Sequence, residues 1–357
     1  MNLTLIIPTY NRQNYALRSL KFWSDKNVVV HVLDGSKIKI ADNQLNGLGS
    51  NVNYHHLPVS ISKRLCYATS LITTDFTALL GDDEFFLLNG LNACVNELNI
   101  DKGLVACLGS CIAFKPINND IIACPAYTSH INHQIDQNDP IDRMIYHLSH
   151  YNCTTIYSVV RSEIWKKAVN TLIDFNFSIW AIEELLFEMI VSFSGKSKVI
   201  NTIMWLRSAE NSESYRPFKN NFTKWWGESE NNDEKTILIE HIVKNLSNGS
   251  KLNTNTLRTG VIQALNCYYN LSERSFLEST YLYFLMNRFI FLVRRIFFSK
   301  IPIKVKKSFR KFLFNCFFIK NEIAYFTLIE ISEKYKNDGV PIEIEEIIDI
   351  NNFILDL

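Results

Sequence analysis

Three short apolar runs near the start of the chain, each ending in polar residues and separated from the next by a helical pattern, limit the fold more than any other feature. LTLIIP (3–8), VVVHVLD (28–34) and FTALLGD (76–82) read as strands. Between the first two, NYALRSLKFW sets Tyr15, Leu17, Leu20 and Phe22 at helical spacing, and SKRLCYATSLI does the same before the third. Strands alternating with helices form βαβ units and therefore a parallel sheet. Ligands of such sheets bind outside the carboxyl ends of the strands. Those ends carry Thr9, Tyr10, Asn11 and Arg12, then Asp34, Gly35 and Ser36, then Asp82, Asp83 and Glu84, so turn-forming and ionisable residues gather along one edge.

Further along, the spacing predicts a helix over 90–99, a strand over 103–114 and an irregular polar stretch over 115–140. Helices over 141–149 and 162–173 flank a strand at 152–160. In FSIWAIEELLFEMIVSFSG (177–195) an apolar stripe runs through Ile182, Leu185, Leu186, Met189, Ile190 and Phe193, leaving Glu183 and Glu184 at the first turn. Residues 198–214 read as a strand entering a polar loop.

A chain of 357 residues with 47% apolar and 20% charged residues can bury a sizeable core in about two structural units. Its 37 basic and 36 acidic residues leave a net charge of +1, so no global field points to nucleic acid. None of the eight cysteines forms a CxxC pair, and the histidines show no HExxH-type spacing, so free thiols in a reducing cytoplasm are expected. The first residues lack a basic segment followed by an apolar one and run straight into a strand, unlike a signal peptide. From Arg288 to Lys320 there are ten basic residues and no acidic one, interleaved with phenylalanine. Arg288, Arg294 and Arg295 interrupt the apolar run, which argues against a transmembrane helix. Such a segment either binds an anionic membrane surface or forms a helical subdomain with a basic face. The acidic, Ile-rich tail after Asn337 is a candidate to pack on it.

LLGDDEFF (79–86) puts three carboxylates in a row and admits three meanings: a solvated turn, a divalent-metal site, or a relative of the GGDEF signature of nucleotide cyclases. The cyclase reading requires a second glycine and a hairpin deep inside its domain, whereas this cluster follows two strand–helix units.

Taken in order, PTYNR, LDGS, LGDDE and the acidic pair Glu183–Glu184 resemble the motifs of GT-A fold, family 2-like glycosyltransferases of bacterial surface-polysaccharide synthesis. The resemblance spans residues 1–215 and implies an α/β fold, with a Rossmann-like, mainly parallel central sheet flanked by helices and a mostly helical C-terminal region. By its implication residues 1–105 form the nucleotide-sugar half, 106–235 the acceptor half and 236–357 the helical region. The implied reaction is inverting transfer from a nucleotide-sugar donor, a UDP-sugar as first guess, to a glycan or lipid-linked acceptor. Mn²⁺ or Mg²⁺ would be held by Asp82, Asp83 and Glu84, with Asp83 the direct ligand; hard carboxylate oxygens suit such ions. Pro8, Thr9, Tyr10, Arg12, Asp34, Arg64, Asp82 and Arg207 would bind the donor, and Glu184, with Glu183 beside it, would be the general base. Two departures stand out: Gly81 replaces the first aspartate of the acidic motif, and Ala209 stands where a histidine usually follows Arg207, leaving Glu210 or Asn211 as substitutes. A membrane-surface scaffold built on residues 288–320 is the competing, non-enzymatic expectation.

Overall fold

The computed structural model describes residues 1–151, 155–172, 179, 181–210, 221–273 and 326–356. Strands β1 (Leu3–Thr9), β2 (Val29–Asp34), β3 (Val52–His56) and β4 (Phe76–Leu79) lie parallel in the order β3-β2-β1-β4. Helices α1 (Gln13–Trp23) and α2 (Ile61–Ala68) make the crossovers. Side chains alternate across a strand, and β1 buries both sets: Leu3, Leu5 and Ile7 face one core with Leu20 and Trp23 of α1, while Ile6 faces the other with Leu65 of α2. This explains why the strands read as continuous apolar runs.

After β5 (Phe85–Phe86) and helix α3 (Leu88–Ile100), β6 (Leu104–Ile117) extends the sheet. The stretch expected to be irregular instead holds β7 (Asp120–Ala126) and β8 (Gln134–Ile135). β7 pairs antiparallel with β6 through a two-residue turn, Ile117 facing Asp120, in which Asn118 takes a left-handed φ of 56°. Asparagine tolerates that conformation. Pro125 obscured the strand in the sequence, since proline in a ladder is confined to edges and special positions.

Helix α4 (Pro140–Ser149) precedes β9 (Val159–Arg161), which runs antiparallel between β4 and β6. Helices α5 (Ser162–Asn170) and α6 (Ala181–Ser194) cover one face, and β10 (Lys196–Ser208) pairs parallel with β6. Helices α7 (Asn221–Gly227), α8 (Asn232–Ser247) and α9 (254–273) pack outside α6.

The C-terminus joins the sheet rather than forming a separate layer. β11 (Phe326–Thr327) pairs with β7, and α10 (Leu328–Asn337) starts with a capping box between Thr327 and Glu330. Helix α11 (Ile344–Leu355) buries Ile347, Ile350 and Ile354 in the core shared by α1 and α3, and its Glu346 accepts the Leu88 amide at 2.6 Å. The acidic tail therefore packs on the core. The basic segment 288–320 lies outside the described residues, and no helix among those described is long and apolar enough to cross a membrane.

Candidate active site

Hydrogen bonds between loops bring the separated motifs together. Asn11, in the left-handed region at φ 55°, gives its amide to Ser36 Oγ at 2.8 Å, and the Gly35 amide reaches Thr9 O at 3.0 Å. Thr9 Oγ1 donates to Asp82 Oδ2 at 2.7 Å. From α1, Ser19 Oγ holds the Asp82 carbonyl and Arg18 Nη2 the Asp83 carbonyl, both at 2.9 Å. The acidic turn is thus fixed largely through its backbone carbonyls.

Asp82 and Asp83 face a common point, and Arg12 fills it. Arg12 Nη1 is 3.3 Å from Asp82 Oδ1, and Nη2 is 2.6 Å from Asp83 Oδ2. Burial pushes the Asp82 carboxyl up to about 6, outweighing the opposite pull of Arg12.

Glu84, expected beside them, is turned inward: Trp205 Nε1 donates to its Oε2 at 3.0 Å, and burial pushes its carboxyl up to about 8. A Cβ added to Gly81 would lie 3.0 Å from this carboxyl group. Glu84 therefore occupies space beside the position where the resembled motif has its first aspartate. Among the described residues no three His, Cys, Asp or Glu side chains are arranged to hold a metal ion. Two convergent carboxylates remain, and together with substrate phosphates and water that is a sufficient set for Mg²⁺ or Mn²⁺. The Arg12 guanidinium occupies the point on which they converge.

Arg64, from α2, is buried; its Nη1 donates to Thr9 O at 2.6 Å and Leu33 O at 2.7 Å, at the carboxyl ends of β1 and β2. Burial lowers its pKa. Gly35 permits the placement, because a Cβ there would stand 2.6 Å from Arg64 Cζ. Asp34 is fully buried and spends its carboxylate on Ser36 N (2.8 Å), Tyr54 Oη (2.6 Å) and Gln13 Nε2 (3.2 Å). Burial alone would raise its pKa, but these bonds hold it below the usual carboxylate range. In this arrangement Asp34 orders the loop.

A cavity of 270 Å³ is lined by Pro8, Thr9, Tyr10, Arg12, Arg64 and Asp82–Glu84 together with Glu183 and Glu184. Glu183 accepts Ser62 Oγ at 2.7 Å, and burial raises its pKa. Glu184 accepts the Tyr151 hydroxyl. Tyr10 and Arg12 also line a second, more open cavity with Gln13, Ser36 and Ile38. Arg207 lines neither cavity and stands 5.3 Å from the centre of the Tyr127 ring. Glu210 accepts the Tyr15 hydroxyl at 2.9 Å and pairs with Arg18 at 3.4 Å, tying the end of β10 to α1; Asn211 lies outside the described residues.

Sequence reasoning missed the residues that set helix α6. Arg143 donates to the carbonyls of Ser192 and Phe193, at 3.0 and 2.8 Å, which terminates the helix. One turn below Glu184, the fully buried Glu188 bonds His147 Nε2 at 2.7 Å and the Ile156 amide at 2.9 Å. A buried glutamate on the apolar face of the 177–195 pattern was the available signal.

No family model and no curated protein matches the chain. Solved structures do resemble it. Residues 1–349 of TarS from S. aureus in complex with UDP-GlcNAc superpose with a TM-score of 0.49 at 15% identity, covering 77% of this chain and 74% of that one. The mannosyltransferase PcManGT from Pyrobaculum calidifontis, in complex with GDP-Man and Mn²⁺, superposes with a TM-score of 0.39 at 9% identity, covering 90% and 86%. The similarity is one of backbone course.

Proposed function

We propose that the chain is a glycosyltransferase that moves a sugar from a nucleotide-sugar donor, a UDP-sugar first, to a hydroxyl of a glycan or lipid-linked acceptor. One observation carries this reading. One cavity at the carboxyl ends of β1 and β4 is lined by the pair Asp82–Asp83, by the cations Arg12 and Arg64 and by the carboxylates Glu183 and Glu184.

Each set of residues has a chemical task. A nucleoside diphosphate leaving group gains negative charge as its bond to the sugar breaks, so it needs fixed positive charge and hydrogen-bond donors already in place. Arg64 supplies a buried guanidinium held by two carbonyl groups, and Arg12 can turn from the carboxylates toward a phosphate. Asp82 and Asp83 would hold Mn²⁺ or Mg²⁺, which when bound neutralises charge on the departing diphosphate. The nucleoside extends from Tyr10 into the second cavity, over Ser36 and Ile38.

In the second set a carboxylate takes the proton from the acceptor hydroxyl as its oxygen bonds the anomeric carbon and the phosphate oxygen departs with the bonding pair. Attack from the face opposite the leaving group inverts the centre. We assign the base to Glu184, whose carboxylate Tyr151 orients, and a supporting position to Glu183, which Ser62 anchors. Glu184→Gln should bind donor as the wild type does and lose transfer by about a hundredfold or more, the usual contribution of a general base. Full transfer activity in Glu184→Gln would move the base to Glu183.

A further inference from the structure

Helices α7, α8 and α9 lie outside the sheet, and the donor reading gives them no task. One line of contacts connects them to the cavity. Tyr151, whose hydroxyl donates to Glu184, stands two positions past the end of α4, and two aromatic rings meet its own. The His147 ring lies 5.6 Å away between centres with the planes 82° apart, and the Tyr268 ring of α9 lies 5.3 Å away with the planes 90° apart. Perpendicular pairs at such separations attract, because the positive edge of one ring meets the negative face of the other.

Both neighbouring rings are themselves held. His147 is bonded to the buried Glu188, one turn below Glu184 on α6. Tyr268 packs on Phe222 of α7, with 4.8 Å between ring centres. Phe222 is buried and stacks on Trp226 at 5.8 Å with the planes 12° apart, and Trp226 Nε1 donates to Asn266 Oδ1, back on α9, at 2.9 Å. A continuous set of contacts therefore runs from α7 and α9 through Tyr268 and Tyr151 to Glu184.

Because Tyr151 lies beyond the helix, its neighbours rather than helical geometry aim its side chain. We propose that Tyr268 is a positioning residue for the general base: its ring, set perpendicular to that of Tyr151, holds the Tyr151 hydroxyl on the Glu184 carboxylate. The oxygen that takes the acceptor proton is then oriented from a helix outside the sheet, and α9 belongs to the catalytic apparatus without touching substrate. The inference rests on the assignment of the base to Glu184.

The test is a double-mutant cycle on Tyr151 and Tyr268 in the full chain. Turnover is read as UDP released from UDP-glucose, UDP-galactose or UDP-N-acetylglucosamine with Mn²⁺ and with water as acceptor, and UDP affinity is measured beside it by isothermal titration. Tyr268→Leu, which keeps apolar bulk against Phe222 but removes the ring, should lower kcat about tenfold, since small misplacements of a reacting group are costly, and should leave UDP affinity unchanged. Tyr268→Phe, which keeps the ring, should turn over as the wild type does. In a Tyr151→Phe background Tyr268→Leu should have no further effect, because the hydroxyl that it positions is gone, whereas independent contributions multiply. Equal losses in the two backgrounds overturn the proposal, and so does wild-type turnover by Tyr268→Leu. A crystal structure of Tyr268→Leu gives a readout independent of turnover: the Tyr151 hydroxyl should leave Glu184, and a retained hydrogen bond overturns the proposal. Wild-type turnover by Glu184→Gln would overturn the base assignment, and this inference with it. Loss of turnover in Glu184→Gln beside full turnover in Tyr268→Leu would overturn this inference alone.

Discussion

Arg12 Nη2 lies 2.6 Å from Asp83 Oδ2, so the carboxylate expected to hold a divalent ion is paired with a side chain of the same chain. On the proposed reading arginine and ion compete for one place. Removing Arg12 leaves the carboxyl oxygens of Asp82 and Asp83 converging with no cation between them, an arrangement that favours a cation arriving there. Arg12→Ala should therefore bind Mn²⁺ without nucleotide about tenfold more tightly than the wild type, one pKa unit's worth of interaction, while binding UDP more weakly. Electron paramagnetic resonance of free Mn²⁺ measures the first effect. Equal Mn²⁺ affinity in the two proteins would show that the guanidinium does not compete.

Glu84 stands next to that pair and does different work. With its carboxyl pushed up to about 8 by burial, it is largely protonated at neutral pH, a form that glutamine imitates. Glu84→Gln should melt close to the wild type and keep Mn²⁺-dependent UDP binding. Glu84→Ala strands the Trp205 N–H and should cost about 1–3 kcal/mol in urea unfolding. Loss of metal-dependent binding in a folded Glu84→Gln would return Glu84 to the metal site.

Gly35 and Arg64 make a steric pair. A methyl group at residue 35 displaces the guanidinium, since the added carbon would sit 2.6 Å from Arg64 Cζ. Gly35→Ala should therefore weaken UDP binding about as much as Arg64→Ala does. Both variants lose the guanidinium bonds to the Thr9 and Leu33 carbonyls, at about 1.5–3 kcal/mol for a bond to a charged group, and both should melt below the wild type. Titration calorimetry with paired thermal melts separates the two effects. Normal UDP binding by Gly35→Ala would remove Arg64 from the donor site.

What the sequence disclosed follows from what is local. The βαβ order, the gathering of strand ends and the position of Glu183 and Glu184 at the start of α6 depend on periodicity, which neighbouring residues display. Partners distant in the chain do not show themselves that way. Glu84 turns to Trp205, 121 positions away, and Arg18 to Glu210, 192 positions away; no pattern near either residue signals this. β3 escaped notice because VNYHH has only one buried apolar residue and lies at the sheet edge. Asp34 was expected at the nucleotide from its motif, and its bonds to Ser36, Tyr54 and Gln13 did not show in the sequence. DGS reads as a turn, and Tyr54 lies too far along the chain to reveal that the turn is locked.

His130 gives the protein an acid-sensitive point. Burial, then the neighbouring His133 and His147, push it down to about 4 from the ordinary 6.5. A depressed folded-state histidine means that the unfolded chain binds more protons between those values, so stability is full above pH 6.5 and falls as pH drops toward 4. The loss amounts to up to about 3 kcal/mol from this group. Urea unfolding at pH 7 and pH 5 should show a smaller pH-dependent loss in His130→Gln than in the wild type. Equal losses would place the acid sensitivity elsewhere.

The claim that Asp82 and Asp83 form the diphosphate side of a donor site is tested most directly by titrating UDP into the wild type and Asp83→Asn, each with and without Mn²⁺. The account predicts that the wild type binds UDP, that Mn²⁺ strengthens the binding, and that Asp83→Asn loses the Mn²⁺ effect while keeping its fold. UDP binding that is identical in both proteins, with the same response to Mn²⁺, would contradict it.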